Sequence, residues 1–308
     1  MPSKSNKQQN EKTALIIAAV CLLASCGNNN NDKSNNNNQP SNNQETMNTP
    51  SNKEKAVALL KAIETGAGEP IAFVNAENYR QHNLGVEDGL DGFGRALAGL
   101  ANYPEKARVN TVRAFEDGDY VVCQTDYNFF GPKAGFDIFR FEDGKIVEHW
   151  DNLMPYDGKL NPSGHTPFDG TTEFTDLDKT EANKAIVRNF VQDVLMGQHP
   201  ENLTNYFDGN NYIQHNTAIA DGLDGLGAAL AAMAEQGIKM EYFTIHKILG
   251  CGNFVLAVSE GKFADQPTSY YDLFRIENGK IAEHWDVMET IAPESEWKHQ
   301  NGKYNFPK

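Results

Sequence analysis

Cysteine is scarce in this 308-residue chain: four are present, and two of them, Cys21 and Cys26, fall in an N-terminal leader. The other two, Cys123 and Cys251, are too few for a cysteine-ligated zinc site. Positive charge is short as well, with 27 Lys and Arg against 42 Asp and Glu and a formal charge of −15. Three lysines and Glu11 lie within residues 1–25, so removing that segment takes the charge to −17. That balance argues against nucleic-acid binding and against electrostatic docking on anionic lipid. The apolar run Ala14–Ala24 covers about half of the roughly 20 residues a membrane-spanning helix needs. Two common catalytic signatures are missing. Gly89-x-x-Gly92-x-Gly94 has the reversed spacing of a dinucleotide fingerprint and no βαβ context, and no serine has the setting of a Ser–His–Asp triad.

The leader itself is informative. Lys4, Lys7 and Lys12 precede the apolar run, which ends in Leu23-Ala24-Ser25-Cys26. A basic segment followed by a short apolar one reads as a secretory signal over residues 1–25. Its last four residues resemble a bacterial lipobox, which implies lipidation of Cys26 and an extracytoplasmic, membrane-anchored protein; an ordinary signal peptide containing cysteine is the alternative. Residues 27–52 contain 12 Asn and almost nothing apolar. Such a segment cannot offset its ordering entropy by burial, so residues 26–52 are expected to be a tether.

The rest of the chain is a repeat. Tyr79–Gly94 matches Tyr212–Gly227 at 10 of 16 positions, and Asp137–Asp151 matches Asp272–Asp286 at 11 of 15. Offsets of 133 and 135 residues mean tandem globular domains, since solenoid repeats run at about 20–50 residues. We expect domains at 53–154 and 178–293, a connector at 155–177 with His165 exposed, and a tail at 294–308. Ser51-x-x-Glu54 and Asp178-x-x-Glu181 have capping-box spacing before helical apolar patterns. A short extended piece, a small Ala/Leu helix and long strands joined by Asp-Gly or Asn-Gly turns follow in each copy. The class is α+β.

Charge sets the register of the closing hairpin. A three-residue turn centred on Gly144 places Arg140 opposite Glu148 and Ile138 opposite Trp150 on one face. Asp137 then opposes Asp151, and Phe139 opposes His149, on the other. A two-residue turn would mix the faces. The second copy follows suit, with Arg275 opposite Glu283 and Asp272 opposite Asp286. Two carboxylates facing each other on an apolar surface raise at least one pKa, which suits acid–base work. Asp137, Asp151, His149 and His82, with Asp272, Asp286, His284 and His215, are the candidate site residues. The plain alternative is that each Asp caps a turn or accepts backbone N–H groups at a strand end. Arg80, Arg113 and Tyr127 give way to Ile213, His246 and Gly261, so the two sites are expected to differ.

Tyr-x-Gln-His-Asn followed by Asp-Gly, then Asp-x-Phe-Arg-x-Glu-(Asp/Asn)-Gly-Lys-Ile-x-Glu-His-Trp-Asp, resembles the SnoaL-like branch of the nuclear-transport-factor-2-like superfamily. The resemblance implies two tandem cones, each a curved antiparallel sheet wrapped by helices around an apolar pocket. It also implies cofactor-free aldol or cyclase chemistry, with the last-strand acid at Asp151 and Asp286. The family's assisting His falls at Asp137 and Asp272, a departure from the pattern. The superfamily often dimerises through the outer sheet face, which here carries Trp150 and Trp285. Packing of the two copies as an intramolecular pseudo-dimer would bury both, as would packing of each Trp under its own helix.

Three functions remain open. One is an acid–base enzyme acting on a small, largely apolar carbonyl compound without a cofactor. Another is a binding module that captures a small hydrophobic ligand. The third is a metal site of His82, His149, Asp151 and Asp88, for which no His-x-x-x-His spacing speaks.

Overall fold

The computed structural model describes residues 49–307. The leader, Cys26 and all but the last residues of the tether lie outside the described residues. The capping box forms as expected: Ser51 Oγ accepts from Glu54 N at 3.2 Å, and Glu54 Oε2 accepts from Ser51 N at 2.7 Å. Helix α1 (Asn52–Thr65) follows, ending at Gly66 in the left-handed region, and buries Ala56, Leu59 and Leu60 against the sheet. The second capping box does not form. A 3₁₀ turn at Leu177–Lys179 intervenes, and α3 (Thr180–Phe190) starts without a side-chain cap. There the Thr180 hydroxyl donates to Leu177 O at 2.9 Å and accepts from Gly252 N at 2.8 Å.

Each copy contains one five-stranded sheet. The first comprises β1 (Arg80–Gln81), β2 (Arg108–Asp117), β3 (Tyr120–Asn128), β4 (Pro132–Glu142) and β5 (Lys145–Pro155), in the order β1-β5-β4-β3-β2. The second comprises β6 (Ile213–Gln214), β7 (Met240–Cys251), β8 (Phe254–Phe263), β9 (Gln266–Glu277) and β10 (Lys280–Thr290), in the order β6-β10-β9-β8-β7. The long strands are antiparallel, while β1 and β6 pair parallel to β5 and β10. Helices α2 (Gly89–Ala101) and α4 (Gly222–Glu235) follow the short strands. The turn into each is tight: a Cβ at Gly92 would lie 2.1 Å from Glu87 O, and one at Gly225 2.3 Å from Ala220 O. Only glycine fits there. Bulges in β2, β5, β7 and β10 bend the strands, and each copy is a cone-shaped α+β domain.

The closing hairpin corrects the expected turn but keeps its register. Asp143 (φ 48°) and Gly144 (φ 71°) form a two-residue turn between Glu142 and Lys145. A bulge next to Phe141 then restores Arg140 opposite Glu148, Ile138 opposite Trp150 and Asp137 opposite Asp151. Asn278 and Gly279 repeat the device in the second copy, with a bulge between Ile281 and Glu283. The bulges also shift one equivalence. Lys247, opposite Val258, stands where Arg113 stands opposite Gln124, and His246 is the bulged residue.

Trp150 and Trp285 are each 1% exposed. They share one apolar cluster with Phe136 and Ile138 of the first sheet and Leu256, Tyr271 and Leu273 of the second. The side chains of α1 lie in a different cluster. The connector and the tail pack on the sheets, and His165, expected to be exposed, is only partly so. Arg113 donates to the carbonyls of Phe168, Asp169 and Thr171, and its guanidinium lies 4.3 Å from the Trp285 ring centre. Asn161 Nδ2 bonds Gln214 O and Ile219 O in the second copy. The tail mirrors this on the first copy: Asn301 Nδ2 bonds Gln81 O and Asp88 Oδ1, and Trp150 Nε1 donates to Tyr304 O. Each copy is followed by an arm that caps the other.

Candidate active site

The acid pair lies where the register puts it, buried on the inner face of each sheet. In the first copy His149 Nε2 is 3.0 Å from Asp137 Oδ1, and Tyr127 OH donates to Asp137 Oδ2 at 2.6 Å. Phe139 stacks on the imidazole with ring centres 4.7 Å apart. Asn83 Nδ2 donates to Asp151 Oδ2 at 2.7 Å. The other Asp151 oxygen, Oδ1, is buried with no partner. The second copy repeats the pattern: His284 Nε2 lies 3.1 Å from Asp272 Oδ1, Asn216 Nδ2 lies 2.7 Å from Asp286 Oδ2, and Asp286 Oδ1 has no partner.

The tautomer of His149 follows from Gln81. Gln81 Oε1 accepts the backbone N–H groups of His82 and Asn83 at 3.0 and 2.9 Å, so it is the carbonyl oxygen of the amide. It also lies 3.1 Å from His149 Nδ1, which must therefore carry a proton. His149 Nε2 then shares a proton with Asp137. Gln214 fixes His284 in the same way, at 3.1 Å. Burial pushes Asp137 above the usual carboxylate range despite the bonds from His149 and Tyr127. Burial raises Asp286 likewise, against the attraction of His284. Tyr127 is driven well above its ordinary pKa by burial and the neighbouring Asp137, so it stays a neutral donor.

His82 and His215 do not join these clusters. Strand β1 pairs Gln81 with His149, and alternation turns Gln81 and Asn83 inward and His82 outward. His82 stacks on Trp150 at 4.5 Å and lies 3.5 Å from Glu148. His215 stacks on Trp285 at 4.6 Å and lies 2.8 Å from Glu283. Both glutamates oppose burial with bonds from His and Arg (Arg140 or Arg275), which hold them below their ordinary pKa. Asp88 bonds Gln81 N and Asn301 on the rim, so the set His82, His149, Asp151 and Asp88 is not assembled. Of the Gln81-His82-Asn83 motif the inward residues are Gln81 and Asn83, which strand alternation picks out only once the pairing of β1 with β5 is known.

The copies differ around the acids. Tyr127 has its counterpart at Gly261, but Tyr270, at the place of Gly135, returns an aromatic ring from the neighbouring strand. Its hydroxyl bonds Lys262 O at 2.7 Å, while Tyr242 approaches Asp272 at only 3.3 and 3.4 Å. Asp137, His149 and Asp151 offer ligand atoms within 4.8 Å of one another. Asp151 is 5% exposed and Asp286 9% exposed. Surface hollows of about 540 and 650 Å³ lie elsewhere, one by Gly170, Thr171 and Arg275 and one by Ile71, Leu90 and Lys145.

No curated protein matches the chain. Among solved structures it is similar to TsrD from Streptomyces laurentii, at 23% identity over 32% of this chain and 84% of that one, with a TM-score of 0.29. It is also similar to a nuclear-transport-factor-2-like protein of unknown function from Cytophaga hutchinsonii, at 18% identity over 35% and 96% of the two chains, TM-score 0.31. A third, a candidate polyketide cyclase from Bacillus cereus, shares 22% identity over 32% and 72%, TM-score 0.30. The family model for the SnoaL-like domain matches twice, at residues 56–149 and 187–284. With both matched stretches carrying the same Asp–His–Asn–Gln constellation, the chain belongs to the SnoaL-like family and carries its domain in tandem.

Proposed function

We propose that the chain is a cofactor-free acid–base enzyme of the aldol, cyclase or isomerase type, acting on a small, largely apolar carbonyl compound. One observation carries this reading: in both copies the last-strand acid keeps one buried oxygen without a partner while an Asn holds the other. A buried polar atom left unpaired is costly, and a catalytic role is one reason for a fold to keep one. Asp151 Oδ1, and Asp286 Oδ1 in the second copy, would take the proton from carbon next to the carbonyl. The C–H bond breaks, an O–H bond forms on the acid, and the proton returns to another carbon or to the product oxygen. The Asn donor stays on the second oxygen throughout and keeps the first aimed.

Asp137 and Asp272 occupy the family's assisting-His position, and the imidazoles of His149 and His284 stand 3.0 and 3.1 Å from them. In each pair the imidazole faces the carboxylate, so a hydrogen-bonded Asp–His unit stands where the family's pattern has a single imidazole. The enclosure of the acids speaks for the alternative, a module that captures a small hydrophobic ligand without turnover. A pH–rate profile separates them: turnover on an enolisable ketone gives a bell that Asp151→Asn with Asp286→Asn abolishes, and capture gives binding without rate.

On the same footing, the two domains, bounded at 53–154 and 178–293, form an intramolecular pseudo-dimer through the Trp150 and Trp285 faces. The shared apolar cluster supports it. Lipidation at Cys26 would hold the protein outside the cytoplasm on a tether. Cys26→Ser should release it from the membrane fraction, and retention of the variant there would refute the anchor.

A further inference from the structure

We propose a zinc site, distinct from the acid clusters, that clips the connector onto the second copy through His165, Asp169 and His215. The two imidazoles come from separate parts of the chain, and both turn Nδ1 towards the same carboxylate. His215 Nδ1 lies 2.8 Å from Asp169 Oδ1, and His165 Nδ1 lies 3.5 Å from Asp169 Oδ2. Ligand atoms of the three residues lie within 4.8 Å of one another. A tetrahedral ion with bonds of about 2.0–2.1 Å needs ligand atoms roughly 3.4 Å apart, so small side-chain rotations suffice.

The second observation is on the far side of each ring. His165 Nε2 bonds Asp221 Oδ2 at 3.1 Å, and His215 Nε2 bonds Glu283 Oε1 at 2.8 Å. A metal-bound imidazole characteristically gives its other N–H to a carboxylate, which fixes the tautomer and the ring plane. Here both rings are held that way, leaving both Nδ1 atoms to the ligand. His215 Nδ1 also has Thr166 O at 2.9 Å beside the Asp169 oxygen. One N–H cannot serve two acceptors well, whereas a cation is attracted to both. Imidazole and carboxylate donors suit zinc among the divalent ions. Thr166 O or water would complete the coordination.

Among the described residues the His–Asp–His arrangement is built at one place. Gly170 lets the connector lie against His215 and Glu283, since a Cβ there would fall 2.2 Å from Glu283 Oε1. In the first copy the equivalent His82 Nδ1 faces the Gly302 carbonyl at 2.9 Å, and the tail supplies Lys303 next to it instead of an acid. The expected stoichiometry is one ion per chain.

The test is zinc titration by competition with a chromophoric chelator, using the metal-stripped full chain without a histidine tag. One Zn²⁺ per chain is expected, with binding weakened at least about 100-fold in His165→Ala/Asp169→Asn and kept in Asp137→Asn. Zinc should also raise the melting temperature of the wild type and not of the double variant. If the double variant does not fold, His165→Ala alone serves, because that ring is partly exposed. Absence of stoichiometric binding, binding that survives loss of His165 and Asp169, or binding lost in Asp137→Asn would each overturn the proposal.

Discussion

At the scale of the residue, the proposed proton transfer turns on two carboxylate oxygens. Asp286 is buried and raised in pKa, so the folded state binds its proton more tightly than the unfolded chain does. Its contribution to stability is therefore greatest in acid and falls as pH rises through the folded value. Asp286→Asn is expected to stabilise the protein by about 1 kcal/mol at pH 7, with the gain fading below about pH 4, as read from denaturation midpoints. The same change should cost the second copy about 10²–10⁴ in rate. Asn83→Ala should lower turnover in steady-state assays, since the bond that aims Asp151 is lost. The acid pairing and His149 were legible because the Arg140–Glu148 ion pair and the apolar Trp150 favour one register of the hairpin. The inward residues Gln81 and Asn83 were not: β1 is two residues long, and alternation over so short a stretch shows only once its partner strand is known.

At the scale of the element, the hairpins show local rules combining. Two residues with positive φ favour the two-residue turn, while the Arg140–Glu148 ion pair and the buried Trp150 favour the longer register. A bulge satisfies both. The sequence between residues 155 and 177 reads only as a connector because the contacts that fix it to the sheets are made by residues far away in the chain. Its anchor is Arg113, a strand residue whose guanidinium meets three connector carbonyls, and whose pKa burial lowers to about 10. Arg113→Ala would strand those carbonyls and should cost at least about 2 kcal/mol in urea denaturation. Arg113→Lys should recover only part of that, lacking the planar fork. An unchanged midpoint for the Ala variant would show that the Arg113 bonds to the connector contribute nothing to stability.

At the scale of the whole molecule, the duplication and the fold class were plain from the repeats, while the exchange of arms was not. Nothing in the composition of the tail indicates that Trp150, more than a hundred residues earlier, donates to Tyr304 O and stacks on Phe306 at 4.4 Å. Truncation before Lys298 should expose the Trp150 ring and shift its fluorescence to the red, and Trp150→Ala should cost about 3–5 kcal/mol. The proposed chemistry makes proton acceptors of Asp151 and Asp286. It is tested most directly by NMR of deuterium uptake next to the carbonyl of a panel of enolisable apolar ketones in D₂O. Uptake above buffer is expected for at least one ketone, bell-shaped in pH and lost in Asp151→Asn/Asp286→Asn while the fold is retained. Uptake that persists in that double variant, or none across the panel while the ketones bind, would contradict it.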